Sequence, residues 1–315
     1  MLKMENRVSV VMPTYNGSKF IKRAIESILV QTHTNFEFLI IDDGSIDNTS
    51  EVINSFKDDR INYIFQENSG PSSAYNMGFK CASTDFIFIM DHDDYSYPRR
   101  LETQLNYISI NGLDICGSFF EIIEQQRGYI EKKTLPIHFD EIKREILFRP
   151  WTLFNPTLCI RKSVFSNFGF FNEKLIAGYD YDFMLRVAFD VKCSNVPEFL
   201  YQWTQHKKSH GWQSQSKGNK HYQNIAIKKI NSDSVQIAAD EKLFFEGMVY
   251  YYADSFLRAA VCFIKSMITV KFERKALLYF ILSTALSPLV ILFRRQQLFS
   301  HPLMVKFKSF FNGSR

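Results

Sequence analysis

Over the first 112 residues, short apolar runs alternate with stretches whose apolar positions recur at helical spacing. Val8-Ser9-Val10-Val11-Met12 is β-rich and is expected to stop at Pro13. Thr14-Tyr15-Asn16-Gly17 is turn chemistry, and Ser18 is placed to cap a helix with apolar positions Phe20, Ile21, Ala24, Ile25, Ile28 and Leu29. Glu37 to Ile41 reads as a second strand closed by Asp42-Asp43-Gly44-Ser45, with a helix from Asn48 to Phe56. Ile61 to Phe65 is a third strand, and Asn68-Ser69-Gly70-Pro71 opens a helix over Ser72 to Cys81. Phe86 to Met90 is a fourth strand, followed by a helix from Arg99 to Asn111. This alternation predicts the α/β class: a Rossmann-like, mostly parallel sheet with right-handed crossovers, flanked by helices. Further strands are expected over Asp114 to Glu124 and Asn155 to Arg161, joined through a polar connection from Gln125 to Asp140. From about residue 218 the chain reads as a C-terminal helical region without catalytic motifs. The expected organisation is therefore 1–217 as a catalytic domain and 218–315 as a helical, membrane-associating region.

Composition sharpens this picture in two places. Hydrophobic residues make up 46% and charged residues 23%, which excludes a disordered chain. The net charge of +5 is unevenly placed: Lys271 to Arg315 holds eight Lys/Arg and one acid, Glu273. A basic, apolar tail suits an anionic membrane surface. No compact basic motif interleaves with stacking aromatics, so nucleic acid is not an expected partner. Ala276 to Phe293 is uncharged between Arg274-Lys275 and Arg294-Arg295, short for a span and interrupted by Ser and Pro, so an interfacial helix or helical hairpin is expected. The five cysteines are scattered, which indicates neither a disulfide framework nor a zinc site. The N-terminus runs straight into strand-like sequence without a leader pattern. The catalytic part is thus expected in the cytoplasm, peripheral on the inner face of the cell membrane.

The candidate chemistry lies where strands end. Phe86-Ile87-Phe88-Ile89-Met90 stops abruptly at Asp91-His92-Asp93-Asp94. Carboxylates this close repel unless a cation sits between them, and hard oxygen donors suit Mg²⁺ or Mn²⁺. Asp94 is a further candidate ligand. The competing reading is a solvated acidic turn that caps the helix near Pro98. Thr14-Tyr15-Asn16 and Asp42-Asp43 end two other strands, and in a parallel sheet such ends share one edge. Tyr15 is suited to stack on a planar base, and Asp43 to accept from a ring N–H. Neither a dinucleotide glycine fingerprint nor a P-loop is present. The residues alone describe a nucleotide-diphosphate site with a metal.

Val8 to Asn16, Ile41-Asp42-Asp43-Gly44-Ser45-Ile46-Asp47, and Met90 to Asp94 with Pro98-Arg99-Arg100-Leu101-Glu102 together resemble glycosyltransferase family 2, over about residues 7 to 210. The resemblance implies the GT-A fold, with 7–112 as the nucleotide-sugar and metal half and 113–217 as the acceptor half. It implies an inverting enzyme that moves a sugar from a nucleotide-diphosphate donor, usually UDP, to a glycan or lipid-linked acceptor with Mn²⁺ or Mg²⁺. It places donor binding on Pro13, Thr14, Tyr15, Asp43, Asn76, Asp91 and His206, and metal binding on Asp93 with Asp91. Ser72 to Gly78 resembles the family's A-R-N-x-G segment with Tyr75 in place of Arg. The catalytic base falls on Asp180, in Gly178-Tyr179-Asp180-Tyr181-Asp182, where the family's preceding Glu is Tyr179. Asp182 and Arg186 are spaced to pair along a helix. His206 and Ser209 resemble a His-x-x-Ser segment, beside Lys207 and Lys208, which are suited to phosphate. The Gln-x-x-Arg-Trp motif of processive members is missing, which implies single addition. A nucleotidyltransferase or a non-catalytic nucleotide-sugar-binding protein are the alternatives.

Overall fold

The computed structural model describes residues 6–124, 128–175, 177–206, 224–231, 239–252, 255–269, 279–281 and 283–284. Lys207, Lys208, Ser209 and most of 276–293 lie outside the described residues. The chain packs into two compact units, Met1–Ile146 with Pro150–Ser214, and Leu147–Arg149 with Gln215–Arg315.

The first unit is built on a nine-stranded sheet among the described residues. Strands β1 (Val8–Thr14), β2 (Phe36–Asp43), β3 (Ile61–Gln66) and β4 (Phe86–Ile89) pair in parallel in the order β3-β2-β1-β4. Helices α1 (Ile21–Leu29), α2 (Thr49–Asn54) and α3 (Pro71–Cys81) make the crossovers. Every residue of β1, β2 and β4 is buried, which is why these strands read as continuous apolar runs rather than alternating ones.

The sheet continues differently beyond β4. The two-residue strand β5 (Tyr95–Ser96) and helix α4 (Arg100–Ile110) lead to β6 (Ile115–Glu124), which folds back as β7 (Tyr129–Lys133). Helix α5 (Phe139–Ile146) and a 3₁₀ turn (Asn155–Thr157) precede β8 (Cys159–Arg161). Helices α6 (Lys162–Phe168) and α7 (Tyr179–Val187) come before the long β9 (Cys193–Gln205). The full order is β3-β2-β1-β4-β8-β6-β9-β5, with β7 paired to β6. β8 runs antiparallel between β4 and β6, so β6 and β9 point the same way as the first four strands. The sheet is thus mostly parallel with an antiparallel insertion.

Three local expectations change. β1 runs through Pro13, which pairs with Ile41. Val11 turns its carbonyl toward β4, accepting from Met90 N at 3.0 Å, so Pro13 faces that same side, beyond the last β1–β4 pair, Val11 with Ile89. A missing N–H costs nothing there. Ser18 does not cap α1: that helix has no side-chain cap, and Phe20 N and Ile21 N donate to Gly17 O instead. The expected strand Asn155 to Arg161 is half 3₁₀ turn, because Pro156 has no donor for a ladder.

At the opposite, amino end of the strands, Glu37 is buried and staples three segments. It accepts from Ser9 Oγ of β1, and from the backbone N–H (2.7 Å) and hydroxyl (2.9 Å) of Ser83 before β4. Burial works to raise its pKa, but these donors and Arg7 outweigh it and hold the carboxyl below the usual range. A depressed folded pKa stabilises above the unfolded value, about 4.3, and is lost as pH falls through the folded value. Glu37→Gln should therefore cost about 1.5–3 kcal/mol near pH 7. The gap to wild type should close in acid, as followed by thermal unfolding across pH.

In the second unit, helices Ala239–Tyr252 and Phe256–Thr269 pack closely at Gly247. A Cβ there would lie 2.6 Å from the Phe263 ring. Among the described residues no helix is long and apolar enough to cross a membrane.

Candidate active site

The carboxyl edge of the parallel strands carries the polar residues that interrupt them. The loops after β1 and β2 are laced together. Asn16 N donates to Ser45 Oγ (2.9 Å), Ile46 N to Asn16 Oδ1 (2.9 Å), and Gly17 N to Thr49 Oγ1 (2.8 Å). Asn16 takes a φ of 51°, a left-handed conformation that asparagine tolerates. Gly17 is pressed against the acidic loop, since a Cβ there would sit 2.5 Å from Thr14 Oγ1 and 2.7 Å from His92. Beside this junction Tyr15 is 47% exposed, whereas Thr14 is buried with a hydroxyl that has no hydrogen-bond partner among the described residues.

Asp91, Asp93 and Asp94 follow β4 with ligand oxygens within 4.8 Å of one another. Asp91 Oδ1 accepts from the Tyr75 hydroxyl of α3. Asp93 Oδ2 meets His206 Nε2 at 2.9 Å, and the His206 ring stacks on Phe20 with centroids 4.3 Å apart. Asp94 is fully buried and tied to β9, accepting from Tyr201 Oη (2.8 Å) and Thr204 N (2.8 Å). Asp91 and Asp93 each keep one oxygen with no hydrogen-bond partner from another described residue.

The electrostatics fit a cation. Burial first, then the charge of Asp93, pushes Asp91 up to about 7, and Asp180 adds to the same effect. Burial and the two neighbouring aspartates raise Asp94 far above the carboxylate range. Asp93 goes the other way: burial opposes ionisation, but the His206 hydrogen bond and the charges of His92 and His206 lower its pKa. An all-carboxylate donor set, with two oxygens unpartnered among the described residues and with unrelieved mutual repulsion, matches a hard divalent ion such as Mg²⁺ or Mn²⁺.

Asp180 lies in the first turn of α7, behind Gly178 in a left-handed conformation (φ 77°). Gly178 is the N-cap, so Asp180 stands inside the first turn of the helix rather than at the cap position. The start of α7 reaches the acidic cluster through aromatic rings: Tyr179 lies 6.2 Å from Tyr75, whose hydroxyl is on Asp91. Asp182 pairs with Arg186 at 3.2 Å, and Arg186 also donates to Phe170 O at 2.7 Å.

Other expected residues are occupied within the protein. Asp43 is buried; Oδ1 accepts from Gln66 Nε2 (2.7 Å) and Ser69 N (2.9 Å), and Oδ2 from Gly70 N (2.9 Å), so it fixes the start of α3. Asn76 donates to Phe171 O (2.9 Å) and Glu173 Oε1 (2.8 Å) and accepts from Phe171 N (3.0 Å). It clamps the segment leading to α7. Sequence reasoning did not anticipate Tyr201 or Arg100 in this site. The signal was present for Arg100: it shares the buried face of α4 with Leu101, Gln104, Leu105 and Ile108.

The chain belongs to glycosyltransferase family 2: the family model "Glycosyl transferase family 2" matches residues 9–169, just over half of the chain. An uncharacterized glycosyltransferase of Methanocaldococcus jannaschii is 35% identical over 205 residues, 62% of this chain and 70% of that protein. An uncharacterized glycosyltransferase of Rickettsia typhi is 32% identical over 182 residues, 56% of each protein. The chain thus spans little more than half the length of that relative. Among solved structures, S. aureus TarS in complex with UDP-GlcNAc superposes with a TM-score of 0.63 at 22% identity, over 88% of this chain and 81% of that one. A mannosyltransferase of Pyrobaculum calidifontis in complex with GDP-Man and Mn²⁺ gives a TM-score of 0.62 at 14% identity, over 97% and 85%. The fold is accordingly the GT-A type, a mixed α/β sheet flanked by helices.

Proposed function

We propose that this chain transfers a sugar from a nucleotide-diphosphate donor, a UDP-sugar first, to a glycan or lipid-linked acceptor with inversion. The observation that carries the reading is the trio Asp91, Asp93 and Asp94 within 4.8 Å at the end of β4, with the charge of Asp180 acting on Asp91. TarS is seen with UDP-GlcNAc and the mannosyltransferase with GDP-Man and Mn²⁺, so donors of this class and a divalent ion fit the same fold.

In this reading Asp91 and Asp93 would hold Mn²⁺ or Mg²⁺. A bound divalent ion neutralises the diphosphate and eases its departure. Pro13 and Thr14, both buried, back the nucleoside side, where the exposed Tyr15 ring stacks on the base. Asp43 shapes that side by fixing the start of α3 and keeps capacity at Oδ2 for one more donor. Asn76 acts by holding the 171–173 segment, and His206 steadies Asp93. Asp180 takes the proton of the acceptor hydroxyl as the new bond forms at the anomeric carbon.

Incubating the protein with each common UDP-sugar, and with GDP-mannose, in Mn²⁺ tests the reading by release of free nucleoside diphosphate. Release from one donor supports it. A nucleotidyltransferase would instead form pyrophosphate from a nucleoside triphosphate and a sugar phosphate, and a binding module would release nothing.

The second unit supports peripheral membrane contact. On helix Phe256–Thr269, Leu257 (81% exposed), Val261 and Ile264 share one exposed face with Arg258 and Lys265. This is the mixture that favours an anionic interface. The chain should sediment with phosphatidylglycerol vesicles, and Leu257→Asp with Val261→Asp should lower the bound fraction severalfold. Equal binding by both proteins would remove the membrane contact from this face.

A further inference from the structure

Beneath the acidic cluster lies a charge that no step of the proposed reaction uses. Arg100 opens α4 and is wholly shielded from solvent. Its guanidinium donates to neutral acceptors: Gln104 Oε1 (2.9 Å), Ile89 O (2.7 Å) and Pro156 O (3.0 Å). Ile89 is the last residue of β4, and Pro156 belongs to the 3₁₀ turn before β8. Gln104 extends the staple, donating to Cys116 O of β6 (2.9 Å) and Thr157 O (2.8 Å). The guanidinium also lies 4.8 Å from the ring centre of Tyr201. On its far side, the Tyr201 hydroxyl donates to Asp94 Oδ2 at 2.8 Å and accepts from Asp91 N at 3.2 Å.

Two routes therefore run from one buried cation to the acidic loop. One passes along the backbone from Ile89 to Asp91. The other passes through the Tyr201 ring to both ends of the Asp91–Asp94 segment. Burying an arginine is costly, and an apolar side chain of similar volume would serve packing alone as well or better. What an apolar residue cannot do is hold two carbonyls from different segments at a fixed separation with one planar fork.

We propose that Arg100 is a positioning residue: it fixes the carboxyl end of β4 and the Tyr201 ring, and through them the spacing at which Asp91, Asp93 and Asp94 face a divalent ion. This rests on reading the cluster as a metal site. Residues that orient metal ligands typically change affinity by about 10–100-fold when removed.

The test is direct Mn²⁺ binding to the full chain, followed by electron paramagnetic resonance of free Mn²⁺, with thermal unfolding alongside. Arg100→Met removes the fork and the charge, Arg100→Lys keeps the charge but loses the fork, and Tyr201→Phe keeps the ring but loses the hydroxyl. Weaker Mn²⁺ binding by the folded Met variant, with a smaller loss in Lys and in Phe, is expected. Should the Met variant fail to fold, the other two decide. Wild-type affinity in the folded variants would reduce Arg100 to a packing role and overturn the proposal. So would tighter binding in Met with no change in Lys, which is the signature of simple charge repulsion. A wild-type chain that binds no Mn²⁺ overturns the metal reading itself, and this inference with it.

Discussion

Asp180→Asn should turn over about 10²–10⁴-fold more slowly than wild type, the usual contribution of a positioned general base. The expectation rests on where Asp180 stands. It occupies the first turn of α7 behind the left-handed Gly178, and its charge reaches Asp91. Direct displacement at an anomeric carbon needs a base on the face opposite the leaving diphosphate, and this carboxylate comes from the half of the chain assigned to the acceptor. Asparagine keeps the shape, so the variant should melt close to wild type and retain nucleotide and Mn²⁺ binding. The loss should fall on kcat rather than on donor KM. Asp182→Asn is the matched control: it breaks the pair with Arg186 and should lower the melting temperature while leaving the rate near wild type. Wild-type turnover by Asp180→Asn, or a product that keeps the donor's anomeric configuration, would remove Asp180 as the base of an inverting reaction.

Asp93→Ala should lose activity by on the order of 10³-fold or more, since metal stabilisation of a departing diphosphate is worth several kcal/mol. EDTA should produce the same loss in wild type, reversed by Mn²⁺ or Mg²⁺, and Asp93→Ala should not respond to either ion. Asp93 bears this effect more than Asp94. Asp94 has both oxygens committed to Tyr201 and Thr204, whereas Asp93 keeps an oxygen with no partner from another described residue and is the aspartate of the trio whose ionised form is favoured. Full turnover in EDTA would contradict the role given to this residue.

The parallel half of the sheet was legible in the sequence because β1, β2 and β4 are buried along their whole length and therefore read as largely apolar runs. The abrupt stop of the fourth run at Asp91 marked the centre of the site for the same reason. The antiparallel half was not legible in this way. β5 is two residues long, too short to show a period, β8 is only the last three residues of the strand expected over Asn155 to Arg161, and β7 lies inside a stretch that reads as a polar connection. Within the site, residue type alone did not reveal partners. Tyr75 read as a departure from the family's arginine, yet its hydroxyl lies on Asp91. Asn76 reads as a donor contact from its motif, but its amide is engaged by Phe171 and Glu173 nearly a hundred residues later. Such a pairing carries no local signal. Arg100 and Gln104 did carry one, as polar residues four apart on the apolar face of a helix.

Calorimetric titration of UDP into the protein, with Mn²⁺ or with EDTA, for wild type and for Asp93→Ala, tests the β4 carboxylates as a metal-assisted diphosphate site. The expected result is binding by wild type that depends on Mn²⁺ and is lost in the variant. UDP binding of equal strength in EDTA and in Asp93→Ala would contradict the assignment of the β4 carboxylates as the metal-assisted diphosphate site.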